Sequence, residues 1–304
     1  SIEYLKGNKG DKFYYILPNG KLLNKYRNNM IKRVGQSFDI KLFTFDDIID
    51  KLLEDRLHKY INNEMKEALI SQILRELKKE GKLIYYGNIS SKKGFIKILS
   101  SIIGEIKRSL ITPKSYINKS PNLPFYKEIG LVYLEYEKWL YKHNLIDREG
   151  SFFEGISLLR KDNSFFSKLD FIIVDEFFDF RPQEMELLKE ISKANCSIYI
   201  NMPFEREENF FTLEQTLDNL KFLGFEIIKI KKDEQSYYEH MGNVIFNERG
   251  KTIKPNDNII MIRATNNYIE LKKVSEEIKR HFTSGIDLKD MAIVLANPDI
   301  YKNT

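Results

Sequence analysis

The chain has 304 residues, 42% of them hydrophobic and 31% charged, with a formal net charge of +5. That length accommodates about two domains with a sizeable core; no apolar run approaches the roughly 18 residues of a bilayer span, and the start lacks the charged-then-apolar order of a signal peptide. A single cysteine, Cys196, excludes an internal disulfide and a cysteine-cage metal site, and the sum predicts a cytoplasmic protein with no membrane partner.

Residues 1–35 carry eight basic side chains, Lys6, Lys9, Lys12, Lys21, Lys25, Arg27, Lys32 and Arg33, against Glu3 and Asp11. Such a cluster can contact phosphates, or it can be the solvated surface of a lysine-rich chain. Within it, Phe13 to Leu17 reads as a buried strand ended by Pro18-Asn19-Gly20, and Lys21 to Asn28 as a helix. Ile40 to Phe43 is a second strand, after which Thr44 can cap a helix over Phe45 to Leu53, with Asp46 and Asp47 in its first turn. This alternation is α/β grammar.

From Asn62 to Tyr141 the period changes. Met65, Ala68, Leu69, Gln72, Ile73 and Leu77 recur at helical spacing, as do Phe95, Ile98, Leu99, Ile102, Ile103 and Ile106, and a third helix covers Leu131 to Tyr141. No convincing strand interrupts them apart from a short ambiguous run near Leu83 to Tyr86, and turn-prone stretches such as Gly87-Asn88-Ile89-Ser90-Ser91 and Pro113 through Pro124 separate them. The α/β pattern resumes with strand Phe171 to Val174, helix Pro182 to Ile191, strand Ser197 to Asn201, helix Thr212 to Leu223 with Gly224 as its stop, and strand Glu226 to Ile230. A linker with a small hairpin follows, then strand Asn258 to Ile262, helix Tyr268 to Arg280 and strand Met291 to Leu295.

The predicted architecture is therefore α/β, a P-loop-NTPase-like parallel sheet with an inserted all-α domain. Its parts are residues 1–58 and 151–235 as the α/β core, 59–150 as the helical insert, 236–257 as a linker, and 258–304 as the start of a second α/β unit. That last unit opens and is left unfinished, and Ser1 stands where an initiator Met would, so the sequence reads as a piece of a longer protein.

The stretch Phe171-Ile-Ile-Val-Asp-Glu-Phe-Phe-Asp-Phe180 carries the most chemistry. A short β-branched run buried on both faces and stopping on two acids puts Asp175 and Glu176 at the carboxyl end of a parallel strand, where open α/β sheets bind ligands. An Asp there can hold Mg²⁺ while the next Glu orients a hydrolytic water, as in the Walker B arrangement. The alternative is that the two acids cap the following helix or end the strand in solvent. No Gly-x-x-x-x-Gly-Lys-Ser/Thr accompanies them; the nearest string, Gly7-Asn8-Lys9-Gly10-Asp11-Lys12, has the wrong spacing. Nucleotide hydrolysis by this chain is accordingly not expected. His58, His143, His240 and His281 share no ligand spacing, and hydrolase, zincin and dinucleotide motifs do not occur. Among the aromatics, Phe43 and Phe45 are candidates for stacking on bases, whereas Phe177 and Phe180 are expected to pack the next helix onto the sheet.

The order of these parts resembles the AddB/RexB subunit of bacterial ATP-dependent helicase-nucleases. The likeness is carried by a strand ending in Leu17-Pro18-Asn19, a strand followed by Thr44-Phe45-Asp46-Asp47-Ile48, the helical insert, the apolar strand before Asp175-Glu176-Phe177-Phe178-Asp179-Phe180-Arg181-Pro182-Gln183-Glu184, and a strand before Asn201-Met202-Pro203-Phe204. It extends through Ala264 to Leu271 and Asp290 to Val294.

The resemblance implies a UvrD-like, superfamily 1 helicase architecture in which Phe13 to Pro18 precedes motif Ia, Thr44-Phe45 lies near the DNA-binding motif Ib, Asp175 and Glu176 occupy motif II, and Ser197 to Phe204 the motif III strand. Asn201-Met202-Pro203 departs from an active motor. The implied role is an inactivated helicase-like DNA-binding scaffold in double-strand-break repair. Its partners would be DNA, through Lys21, Lys25, Arg27, Thr44 and Phe45, and an AddA-type subunit in a heterodimer. Asp175 and Glu176 would mark a vestigial nucleotide and Mg²⁺ site, no cofactor would be held by this region, and ATP, Mg²⁺ and an iron-sulphur cluster would belong to the whole protein elsewhere. A competent ATPase whose Walker A segment was cut away, and a pure protein-interaction module, are the rival readings.

Overall fold

The computed structural model describes residues 2–7, 9–35, 40–56, 59–202, 211–228 and 259–301. The chain divides into two compact units, Ser1–Lys231 and Lys232–Thr304.

The first unit is built on a four-stranded sheet of β1 (Phe13–Ile16), β2 (Leu42–Phe43), β5 (Phe171–Val174) and β6 (Ser197–Ile200), in the order β2-β1-β5-β6. Every pairing is parallel, with Ile16 opposite Phe43 and Val174, and Val174 opposite Ile200, so all four carboxyl ends lie on one edge. Alternation along the strands sends side chains to two faces. On one face Ile16, Ile172 and Val174 are buried under α3 (Phe45–Leu52), α8 (Arg148–Lys161) and α9 (Pro182–Ile191). On the other, Phe13, Tyr15, Leu17 and Leu42 are covered by α1 (Ile2–Lys6) and α2 (Gly20–Val34). Cys196 sits partly buried just before β6, and burial pushes its thiol pKa up.

Between β2 and β5 the chain builds a second core from α4 (Asn63–Lys79), α5 (Lys93–Arg108), α6 (Pro113–Lys119) and α7 (Pro124–Lys142). Its entry and exit segments, β3 (Lys59–Tyr60) and β4 (Leu145–Ile146), pair in parallel and close its base. Arg148, directly after that exit, grips Asp50 of α3 through both its terminal nitrogens (2.7 and 3.2 Å) and stacks on Tyr60. Helix α10 (Phe211–Phe222) completes the unit, and Gly224, at φ +92°, ends it as the glycine stop expected there.

The sequence readings of α3, α9 and α10 hold to within a residue, and α2 runs six residues beyond Asn28. Besides the short α1, two helices go beyond what the sequence pattern indicates. The stretch Pro113 to Lys119, expected as a turn, is α6, because Pro113 takes the first helical position behind a Thr112 cap. Helix α8 has glycines at 150 and 155 that weaken its pattern; a side chain at Gly155 would lie 2.6 Å from Ile49 Cδ1, so close contact with α3 demands the gap.

In the second unit, α11 (Asn267–Thr283) is capped by Asn266, whose side chain accepts from Ile269 N (2.9 Å). The strands expected over 226–230, 258–262 and 291–295 do not pair among the described residues 226–228, 259–262 and 291–295. A strand is defined by a ladder partner, and these apolar runs have none among the described residues; Met261 is 96% and Val294 92% exposed. The hairpin expected within residues 231–257 lies outside the described residues, as do His58 and His240. No described helix is long and apolar enough to cross a membrane.

Candidate functional site

The chain runs from β1 outward to β2 and later returns on the other side of β1 as β5, so the direction of strand succession reverses between β1 and β5. In open α/β sheets that reversal leaves a crevice beyond the carboxyl ends. Asp175 and Glu176 stand there, directly after β5, with Asp175 N donating to Ile16 O (3.0 Å).

Asp175 is buried, and both its oxygens are engaged. Oδ2 accepts from the Tyr15 hydroxyl and, at 3.3 Å, from the Tyr26 hydroxyl; Oδ1 accepts from Asn201 Nδ2 at 2.7 Å and from Glu176 N at 2.8 Å. Burial, reinforced by the bonds to these acids, raises both tyrosines far above the usual phenol range, so they remain neutral donors. Glu176 adopts φ +64°, a left-handed conformation unusual for a side-chain-bearing residue, and its amide donates to Asp175 Oδ1. Its carboxylate accepts a 2.6 Å bond from Tyr26.

Tyr26 belongs to α2, so the acid pair clamps that helix to the sheet edge. Helix α2 contains five basic residues and no acidic one. Met30, Leu23 and Tyr26 turn toward the sheet, while Lys21, Lys25 and Lys32, spaced by four and seven, share the opposite, exposed stripe, with Arg27 exposed on its flank. None of these four is ion-paired among the described residues. The sequence-predicted Lys21, Lys25 and Arg27 are therefore available, on a helix that the predicted Asp175 and Glu176 hold in place.

Thr44 and Phe45 lie on the same edge, after β2, with both side chains committed. Thr44 Oγ1 accepts from Asp47 N (3.1 Å) and donates to Asp47 Oδ2 (2.7 Å), while Thr44 N donates to that oxygen, forming a reciprocal cap. The Phe45 ring is 2% exposed, against Phe177 (5.3 Å) and Phe180 (6.1 Å). Base stacking on Phe45 does not fit that position, because a ring packed on all sides offers no face to a ligand. Phe177 and Phe180 stack on each other (5.0 Å) within the same core, as expected of them. Sequence reasoning missed Tyr15, Tyr26 and Asn201 as partners of Asp175. The available signal was two tyrosines on inward-facing positions of β1 and α2, where a buried hydroxyl requires an acceptor.

Residues 3–222 match the sequence family described as ADDB, N-terminal. The chain belongs to that family. Similar curated proteins include the AddB subunit of the ATP-dependent helicase/deoxyribonuclease of Clostridium kluyveri (strain NBRC 12016), 27% identical over 314 residues that take in 90% of this chain and 26% of that protein. The protein of the same name from Clostridium tetani (strain Massachusetts / E88) is 29% identical over 283 residues, 81% of this chain and 24% of that protein. The chain thus spans about a quarter of the length of the curated relatives it matches.

For an AddB-family chain the crevice invites a test against Mg²⁺ and nucleotide. The Asp175 carboxylate does not fit the ion as a direct ligand. A Mg²⁺ ion demands near-octahedral oxygen ligands at about 2.0–2.1 Å, whereas each Asp175 oxygen already accepts two hydrogen bonds. Among the described residues no group of three or more His, Cys, Asp or Glu side chains is placed to hold a metal ion.

Proposed function

We propose that this chain is the N-terminal, helicase-like region of the AddB subunit of an ATP-dependent helicase/deoxyribonuclease, acting as a DNA-binding scaffold in double-strand-break processing. In this reading residues 1–58 and 151–235 form a P-loop-NTPase-like core, residues 59–150 a helical domain set into it, and residues 258–304 the opening of a second α/β domain. An AddA-type motor subunit is the partner, and ATP, Mg²⁺ and an iron-sulphur cluster are matters for the rest of the assembly.

The observation that carries the reading is the pairing of an Asp175 whose two oxygens are fully engaged with a basic helix whose Lys21, Lys25, Arg27 and Lys32 have no ion pair among the described residues. Tyr15, Tyr26 and Asn201 stand where a metal would have to bind, which supports a vestigial motif II. The same tyrosine clamp fixes α2 with Lys21, Lys25 and Lys32 outward, which supports contact with the phosphates of a DNA strand. Thr44 and Phe45 then shape the floor beneath that strand.

Binding of single-stranded DNA as a function of salt tests it. Each phosphate contact on a single strand contributes roughly 0.7 to the slope of log affinity against log salt. The triple substitution Lys21→Glu, Lys25→Glu, Arg27→Glu is expected to weaken binding and to flatten that slope by about 2. An unchanged slope in a folded variant would remove α2 from the DNA path.

A further inference from the structure

In the helical core, residues 81–92 join α4 to α5 without a helix or strand, yet their backbone is firmly held. The amides of Ile84 and Tyr85 donate to Glu128 Oε1 (2.7 and 2.6 Å), and that of Tyr86 to Oε2 (2.9 Å). Glu128, on α7, is only 5% exposed, and three convergent amides satisfy its buried carboxylate with charge-assisted bonds. This anchorage does not bury the turn's side chains. Ile84 is left 87% and Tyr85 60% exposed.

The Tyr85 ring leans on Phe125 (5.5 Å), which packs on Tyr126 (4.2 Å), making a continuous aromatic surface at the start of α7. Tyr86 meets Phe95 of α5 (4.8 Å), which brings the first turn of that helix, with exposed Lys92 and Lys93, alongside. Lys127 follows Tyr126 and is exposed as well. None of these three lysines has an acidic partner among the described residues. Aromatic rings beside charge of one sign match a ligand that offers flat π faces and negative charge together.

We propose that Tyr85 and Phe125, with Ile84 beside them, form a stacking platform for the unpaired bases of single-stranded nucleic acid, its phosphates tracked by Lys92, Lys93 and Lys127. The platform rests on the nucleic-acid reading given above and adds a base-contacting surface separate from α2. Because it grips bases, it distinguishes an oligonucleotide from its abasic counterpart, which α2 alone does not.

Fluorescence anisotropy on the full chain tests this with a labelled oligothymidylate of about 20 nucleotides and an abasic strand of equal length, probe lengths that exceed the roughly 4–16 nucleotides of a typical single-strand site. The wild-type chain is expected to prefer the oligothymidylate by about tenfold or more, Tyr85→Ala to abolish the preference, and Tyr85→Phe, which keeps the ring, to retain it. Photocrosslinking of a 5-iodouracil strand is expected to label the peptide containing Tyr85. Equal wild-type affinity for both strands overturns the platform while leaving phosphate contact at α2 intact; failure to bind either strand removes both. Persistence of the preference in Tyr85→Ala places the stacking elsewhere and overturns the proposal. So does a self-associated wild-type chain that Tyr85→Ala converts to monomer, since the patch is then an interface between copies.

Discussion

Asp175 in the sheet and Asp147 at the base of the helical core are both buried, and both follow directly on a parallel strand, yet they meet opposite surroundings. Asp147 receives Lys107 Nζ (2.6 Å), the Tyr136 hydroxyl (2.9 Å) and Gly150 N (2.8 Å), with Lys66 Nζ at 3.6 Å. Glu137 and Glu149 join the network on the same two lysines, and Arg108, donating to Glu149 at 2.9 Å, supplies the third positive charge for the three acids. There every charge has a countercharge, and even the backbone is fitted to it: a side chain at Gly150 would lie 2.7 Å from Asp147 Oδ1. Asp175 is met by two phenols, one carboxamide and one backbone amide, all neutral. Neutral donors satisfy the oxygens without cancelling the charge. The helical site is closed electrostatically, whereas the sheet edge retains a negative potential that Glu176 extends into solvent. Under the proposed function, a DNA phosphate would be repelled from the crevice and favoured on the outer face of α2.

The sharpest way to break this contrast is Lys107→Ala. Removing one partner of a buried ion pair leaves its acids uncompensated and is expected to cost about 3–5 kcal/mol, read from urea unfolding followed by circular dichroism. Next in size is Tyr15→Phe, which takes one neutral donor from Asp175 and is expected to cost about 1.5–3 kcal/mol, the range for hydrogen bonds to charged groups. A loss at Tyr15 equal to that at Lys107 would mean the two sites do not differ in kind.

The smallest effect is the pH dependence of the Lys107 network. Burial pushes the Asp147 carboxyl up, but the ammonium groups of Lys107 and Lys66 outweigh it and hold the pKa below the usual carboxylate range. Its stabilisation is therefore complete above about pH 4 and lost as pH falls through the lowered value. Burial pulls Lys107 down, but Asp147 and Glu137 raise it overall, so its share is complete below about pH 10.4 and lost as pH rises through the raised value. Glu137, raised by burial more than Lys107 lowers it, opposes this with a small loss of stability from about pH 4.3 upward. Once Glu137 has titrated, unfolding free energies are expected to vary little with pH until Lys107 begins to lose its proton, and Asp147→Asn is expected to blunt the acid limb.

Much of the sheet was legible because its strands announce themselves twice, by apolar runs and by what ends them. Pro18-Asn19-Gly20, Thr44 and Asp175-Glu176 marked three carboxyl ends, and all three lie on one edge. The lysines of α2 were visible as a cluster, but only the structure shows that Tyr26 ties their helix to the acids, 149 and 150 residues distant along the chain. Phe45 was misjudged because an aromatic beside a capping threonine looks alike whether it faces a base or a core. The Glu128 anchor was invisible for a related reason: its partners are backbone amides, which carry no residue-specific signature.

The pairing of β1 with β5 has a consequence for how the molecule is made. Ile16 needs Val174 beside it, yet a ribosome adding roughly 5–20 residues per second releases the second of them on the order of 10–30 s after the first. During that interval β1 and β2 have only each other, and a two-stranded piece is marginal in water. The helical core between them draws its contacts from residues 61–145 and has everything it needs sooner. Synthesis thus imposes an order in which the helices settle first and the sheet closes around a finished neighbour, leaving Ile16, Ile48 and Ile49, whose cover from α8 and α9 is made later, as the surface most in need of a chaperone meanwhile.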